Sequence, residues 1–441
     1  MKNQDFLGNP VRLAVLVFIA MLAGQGLWIY FFGVDAPQGD QWDGEFFWYK
    51  ALVTNNASLH GLIAPHNEHR IAATRLFNGA IFFLIGGWRP IVVMYAQAFL
   101  ISGLVAWLSV LLNKYAGSWR NFGLVFTLIA FLSPYSWQNT LGAFQNQFYF
   151  MLLFAFAVIG LLAWCPSWPA IVAAIVIAAL SPFTTAGGLM TIVILIFMIG
   201  LNLVTRRITL PKFAIILVFI LPVLAWHITN QHHVVGHDVL RARSAAEFVV
   251  SLLKILSWPE FPIGLFFWGV IALSILDSYR NRGRLLPWIS EFGPVHIFIL
   301  GALSWLLLQM AATAYSRTHS DLMAARYQQT YSLIIPLFFL AVNVFGTGFK
   351  WLRPWLVASL IIVGLLIRNG REWPYMMKGV AEMRFAKMEI TKAVRMNKFE
   401  YLKSKEKGEF SLGYFTADAI WERIHDEKLF PHHLWLEKGN R

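Results

Sequence analysis

Three carboxylates, Asp40, Asp43 and Glu45, fall within six residues of "GDQWDGEFFWYK" (39–50), interleaved with aromatic side chains. An ionised aspartate at such a surface can take the proton from a hydroxyl that attacks carbon. Further along, "PHNEHR" (65–70) sets His66, Asn67, Glu68, His69 and Arg70 in an unbroken run of ionisable and hydrogen-bonding groups. If this run begins a helix, His66 shares a face with both His69 and Arg70. Such a face offers an acid/base pair and a cationic clamp for phosphate. A metal held by His66, Glu68 and His69 fits less well, because neighbouring helical positions point apart. The acids stand out because the chain otherwise avoids them: no Asp or Glu occurs between His69 and His237. The competing reading is a solvated loop or an interfacial amphipathic helix, to which Trp42, Phe46, Phe47 and Trp48 would also be suited.

The elements that position these groups follow from composition. The chain has 441 residues, 58% hydrophobic and 13% charged, too apolar for a soluble protein of this length and typical of a polytopic membrane protein. The first apolar run (11–33) is long enough to span a bilayer. It ends in Trp28, Tyr30 and Phe31 rather than small residues, so it reads as a retained span and not a cleaved signal. A single cysteine, Cys165, excludes an internal disulfide framework and a cysteine-based zinc site. The net charge of +13 is that of basic cytoplasmic loops, not of nucleic-acid binding.

Those basic loops lie at Lys114 to Arg120, at Arg206, Arg207 and Lys212, at 278–284, and at Lys350 and Arg353. Placing all four in the cytoplasm puts 34–70, 136–147, 181–188, 227–244, 316–329 and everything after Arg368 outside. Parity then allows one full crossing between the first loop and Lys114, although two apolar runs (71–88 and 90–112) lie there. The first is short, carries Arg75 and ends "GGWRP", and is expected to be re-entrant or interfacial. The expected fold is an all-α polytopic membrane protein of about 10–12 transmembrane or re-entrant helices. Its membrane domain is 1–368, with 34–70 as first loop, and a soluble helical tail (369–441) caps the site or holds an acceptor.

Outside-facing loops add polar groups. In "WQNTLGAFQNQF" (137–148), Trp137 is a stacking platform for a sugar, and Asn139, Gln145, Asn146 and Gln147 can hydrogen-bond its hydroxyls or satisfy helix ends. "TTAGGL" (184–189) opens a helix whose free N–H groups can hold a phosphate oxygen, or is an ordinary turn. His227, His232, His233 and His237 beside Asp238 read as a metal site or, better, a solvated loop.

"PHNEHRI" followed by "RL", then "WQNTLGAFQNQF", "SPFTTAGGL" and "ARYQQTYSLIIP" (325–336), in that order, resemble bacterial members of the GT-C superfamily of integral-membrane glycosyltransferases. The plan is similar to that of the phage-type O-antigen glucosyltransferases, over residues 11–368. The resemblance implies a GT-C-like bundle in the bacterial inner membrane. It also implies inverting transfer of a sugar from a polyprenyl-phosphate donor to a cell-surface glycan or lipid-linked acceptor on the outer side. The base would be Asp40 or Asp43, with Asp35 and Glu68 in reserve. Arg326 and Tyr327 would lie near the donor phosphate, with His66, His69 and Arg70 beside it. "DQWDGE" departs from a DxD or ExD pattern, which leaves dependence on a divalent metal open. Asp40 or Asp43, Glu68, Arg70 and Arg326 are expected to share one cavity. The rival readings are a flippase or transporter for lipid-linked sugars and a polysaccharide polymerase or ligase. Ionisable residues in loops and at membrane edges, not at mid-span, favour an enzyme.

Overall fold

A bilayer leaves no water for free backbone N–H and C=O groups, so apolar runs of this length close their hydrogen bonds as helices. The computed structural model describes residues 9–281, 284–346, 353–405, 416–426 and 429. Lys350, two residues of the 278–284 basic cluster and most of the tail beyond 405 lie outside these.

In chain order, α1 (Pro10–Phe32) leads into a first loop built from α2 (Gln41–Gly44), α3 (Phe46–Val53), α4 (Leu59–Ile63) and the strands β1 (Pro65–His66) and β2 (His69–Arg70). Then follow α5 (Ala72–Ile85), α6 (Pro90–Tyr115), α7 (Arg120–Leu132), α8 (Trp137–Leu141), α9 (Asn146–Trp164) and α10 (Trp168–Leu180). Next come α11 (Leu189–Val204), α12 (Leu210–Thr229), α13 (Ala245–Leu256), α14 (Ile263–Arg280), α15 (Leu285–Ser290) and α16 (Pro294–Ser316). The described chain closes with α17 (Ala325–Tyr331), α18 (Ile334–Phe345), α19 (Pro354–Met396), α20 (Phe399–Lys403) and α21 (Ala417–Ile424). Among the described residues nine helical stretches are long and apolar enough to cross a membrane, and Ala72–Ile85 and Trp168–Phe183 are shorter apolar helices. The protein is therefore an all-α, multi-pass membrane protein, with a two-stranded ribbon as the sheet among the described residues.

Contacts between loops fix the ends of the bundle. The first loop meets the α7–α9 connection through His66 on Phe144, the α10–α11 connection through His69 and Ala186, the α12–α13 connection through Glu68 and His237, and the α16–α17 connection through Glu68 and Arg317. The opposite end gathers the basic loops. Asn343 donates to the Tyr115 carbonyl, Arg207 donates to the Ala163 carbonyl, and Tyr279, Trp288, Phe292 and Phe345 pack ring against ring.

Helix α5 does not cross. At its start Trp48 Nε1 donates to the Arg75 carbonyl, and just past its end Trp88 Nε1 donates to Glu45 while Arg89 pairs with Asp35, so both ends sit in the first loop. Gly86, at φ +69°, turns the chain back.

The main core fills the bundle, and a second core lies outside it, where Trp42, Phe46 and Tyr49 of the first loop and Trp88 after α5 pack on Ile390, Ala393, Leu402 and Ile420 of the tail. No linker separates span from tail: α19 runs unbroken from Pro354 through Arg368 and Pro374 to Met396. With Cys165 replaced by Ser, cysteines at Asn56 and Lys398 are expected to react with an impermeant thiol reagent from one side of sealed vesicles, and one at Ser118 from the other. Labelling of Asn56→Cys and Lys398→Cys from opposite sides would break this topology.

Candidate functional site

The first loop is organised around a buried carboxylate. Glu45 is 1% exposed. It accepts hydrogen bonds from Gln41 Nε2 (3.0 Å), Trp88 Nε1 (3.1 Å) and Asn78 Nδ2. The chain of bonds continues inward: Asn146 Nδ2 donates to Asn78 Oδ1 (2.6 Å), and Thr74 Oγ1 donates to Asn146 Oδ1 (2.8 Å). Burial raises the Glu45 pKa despite the donors around it. Because the folded-state value is raised, its contribution to stability is greatest below the ordinary carboxylate range and is lost as pH rises through the raised value. Beside it the buried Arg75 guanidinium donates to the carbonyls of Gly44, Gly61, Leu62 and Ala64, clamping two segments of the loop.

The run "PHNEHR" is a hairpin, not the start of a helix. His66 pairs with His69 and Pro65 with Arg70, and Asn67 takes a left-handed φ of +52°, which asparagine tolerates. Directly paired residues share one face of a ribbon and successive residues alternate. His66 and His69 therefore still share a face, but Arg70 falls on the other. Arg70 donates to the carbonyls of Ile63 (2.8 Å) and Asn230 (3.1 Å) and lies over Trp226, so it braces the loop and does not reach the Asp40 cavity.

His66 stands between two acids, with Nε2 3.9 Å from Asp40 Oδ2 and Nδ1 3.9 Å from Asp43 Oδ2. His66 chiefly lowers the Asp40 pKa, against the opposing effect of burial, and the charges of Arg326 and His69 add to the lowering. Burial pushes His69 down to about 4. A neutral ring agrees with its geometry, since Nδ1 accepts the Ala186 N–H at 3.1 Å. That bond also commits an N–H of "TTAGGL" to His69, correcting its expected availability to a phosphate.

Asp40 opens onto a cavity of about 290 Å³ that it shares with Trp137, Gln138, Gln145, Arg326 and, from α19, Glu382. Arg326 is fixed by α8: its N–H donates to Gln138 Oε1 (3.2 Å), and its carbonyl accepts from Asn139 Nδ2 (2.9 Å). Its guanidinium lies 5.0 Å from the Tyr327 ring centroid. Trp137 Nε1 and Gln145 Oε1 are buried without hydrogen-bond partners. Buried polar atoms in a cavity wall mark where a polar ligand would bond. A Cβ on Gly379 would lie 2.5 Å from the Trp137 ring, so glycine lets α19 close over that side.

Of the residues expected to share one cavity, Asp40 and Arg326 do so, and Trp137 and Gln145 line it with them. Asp43 lies on the far side of His66 and does not line the cavity. Asn139 positions Arg326, and Tyr327 flanks it. Gln147 is buried, with Oε1 unpartnered, and does not line the cavity. Glu68 belongs to a neighbouring cluster: burial raises its pKa, but the hydrogen bond from His237 and the charge of Arg317 outweigh that and hold it down. Asn67 presents its carbonyl to His232 Nδ1. His233 pairs with Asp238 and His227 contacts the Ala179 carbonyl, so each histidine of 227–237 has its own partner. Among the described residues no three His, Cys, Asp or Glu side chains converge as a metal requires. Sequence reasoning missed Glu45 as a hub, Arg317, and Glu382 from the tail; only the unusual "DQWDGE" spacing hinted at the first.

No family model matches the chain, nor does any curated protein or solved structure.

Asn78→Ala leaves both Glu45 and Asn146 short of a buried partner. It is expected to cost about 2–3 kcal/mol, read as a lower thermal midpoint in detergent. The exposed Asp43→Asn is expected to leave the midpoint unchanged.

Proposed function

We propose that the Asp40 cavity is the active site of a GT-C-type membrane glycosyltransferase. It would move a sugar from a polyprenyl-phosphate donor to a glycan or lipid-linked acceptor on the outer side of the bacterial inner membrane. One observation carries this reading: a carboxylate whose pKa is lowered shares a cavity with a guanidinium and unpartnered polar groups. In the reaction, the acceptor oxygen bonds to the anomeric carbon from the face opposite the leaving group while the bond from that carbon to the phosphate oxygen breaks. Asp40 takes the acceptor proton, and the polyprenyl phosphate leaves with the electron pair. Arg326 offers a planar fork to the departing phosphate. Trp137 supplies an apolar face and an indole N–H to the sugar ring, and Gln145 accepts from a sugar hydroxyl. His66 positions Asp40. The basic loops at the opposite end of the bundle support an orientation with the cavity outside.

Asp40→Asn keeps the shape and removes the base. With the full chain in nanodiscs and a polyprenyl-phosphate sugar as donor, transfer is expected to fall by about a hundredfold or more at unchanged expression. Full activity of this variant would end the assignment. In cells, loss of the protein should remove one side-branch sugar from the surface polysaccharide; loss of the entire polymer would point to a polymerase, ligase or flippase instead.

His66→Gln removes the largest influence that lowers the Asp40 pKa. The Asp40 pKa then rises, less of it is ionised at a given acidic pH, and the acid limb of the rate profile moves to higher pH. An unmoved limb would separate His66 from the base.

A further inference from the structure

Helix α17 has two sides. Arg326 faces the Asp40 cavity, while Gln328 faces away, accepting from Trp258 Nε1 and donating to Glu372 Oε1 (2.7 Å). Beyond it lies a second pocket of about 490 Å³, lined among others by Leu253, Lys254, Glu260, Phe261, Arg368 and Arg371.

Three features of this pocket point to a ligand. Arg368 is 8% exposed, and its Nε is buried with no hydrogen-bond partner, although its other nitrogens pair with Glu260 and Glu372. Arg371 reaches Glu260 through Nη1 alone, at 2.7 and 2.8 Å from the two carboxylate oxygens. Lys254, exposed on α13, pairs with no described acid. Three cations therefore meet two carboxylates, and an excess of positive charge remains.

The pocket also sits at the bilayer boundary. Arg368 is the first charged residue after the apolar stretch 354–367 of α19. Alongside, α13 buries Ser251 and Ile255 and exposes Val249, Val250 and Leu253, and Phe261 is 72% exposed. That is the pattern of a helix lying in the interface with apolar side chains towards the acyl region.

We propose that this pocket binds the phosphate-bearing headgroup of an anionic membrane lipid. Arg368 Nε, Arg371 and Lys254 hold the phosphate, and Leu253 and Phe261 lie along the first carbons of the chain. The proposal stands independently of the transferase reading. Two lipids carry this chemistry, an anionic phospholipid and a polyprenyl phosphate.

Native mass spectrometry of the full chain, released from detergent after incubation with phosphatidylglycerol, phosphatidylcholine or polyprenyl phosphate, tests it. One equivalent of phosphatidylglycerol or of polyprenyl phosphate should be retained, and which of them identifies the source. Phosphatidylcholine, whose choline cation meets the pocket's excess of positive charge, should bind about tenfold more weakly. The double substitution Lys254→Gln and Arg371→Gln, both on exposed side chains, should cost that equivalent about tenfold in affinity without lowering the thermal midpoint. Arg368→Gln should cost a similar factor in affinity but also lower the midpoint, because the buried Glu372 loses its ion-pair partner. Equal retention of phosphatidylcholine, or unchanged occupancy in the double variant, overturns the proposal.

Discussion

Burying one carboxylate, Glu45, constrains the whole cavity end of this protein. A carboxylate cut off from water must be surrounded by donors, and these come from Gln41 in the first loop, Asn78 on α5 and Trp88 after it, with Asn146 on α9 donating in turn to Asn78. Satisfying them draws both ends of α5 to the same end of the bundle, which is why that apolar segment turns back. Arg75 completes the arrangement with four backbone carbonyls, so that loop residues distant in sequence hold a single shape.

From this anchor the site follows within one turn of chain. Gln41, tied to Glu45, also accepts the N–H of Gln38 on the cavity wall, and Asp40 stands between them. The acids divide by environment: burial raises the pKa of Glu45, while His66 lowers that of Asp40. One acid organises structure and its neighbour is left available for proton transfer. The remaining wall comes from α19, whose passage from span to tail without a break carries Glu382 and Gly379 over Trp137.

Much of the architecture could be read from residues alone. Apolar runs marked the spans, and the parity of the four basic clusters favoured a partial crossing for α5. The crowding of acids in the first loop points to Asp40 together with Asp43, whereas Arg326 enters only through the resemblance. The rest depended on tertiary geometry. Nothing in "DQWDGE" says which acid is buried, since two of the donors to Glu45, Asn78 and Trp88, come from more than 30 residues downstream. "PHNEHR" carries no periodicity long enough to separate hairpin from helix, so the loss of Arg70 to the opposite face was invisible. The histidines of 227–237 looked like a cluster only because they are close in sequence.

Acid, guanidinium and unpartnered wall atoms gain a common purpose if a phosphate-linked sugar lies between them. An electron cryo-microscopy map of the full chain in nanodiscs with a polyprenyl-phosphate sugar tests this directly. The account predicts ligand density in the cavity, with the phosphate at the Arg326 guanidinium and the sugar between Asp40 and Trp137. A saturating donor that leaves this cavity empty, or that lies with its phosphate away from Arg326, would contradict it.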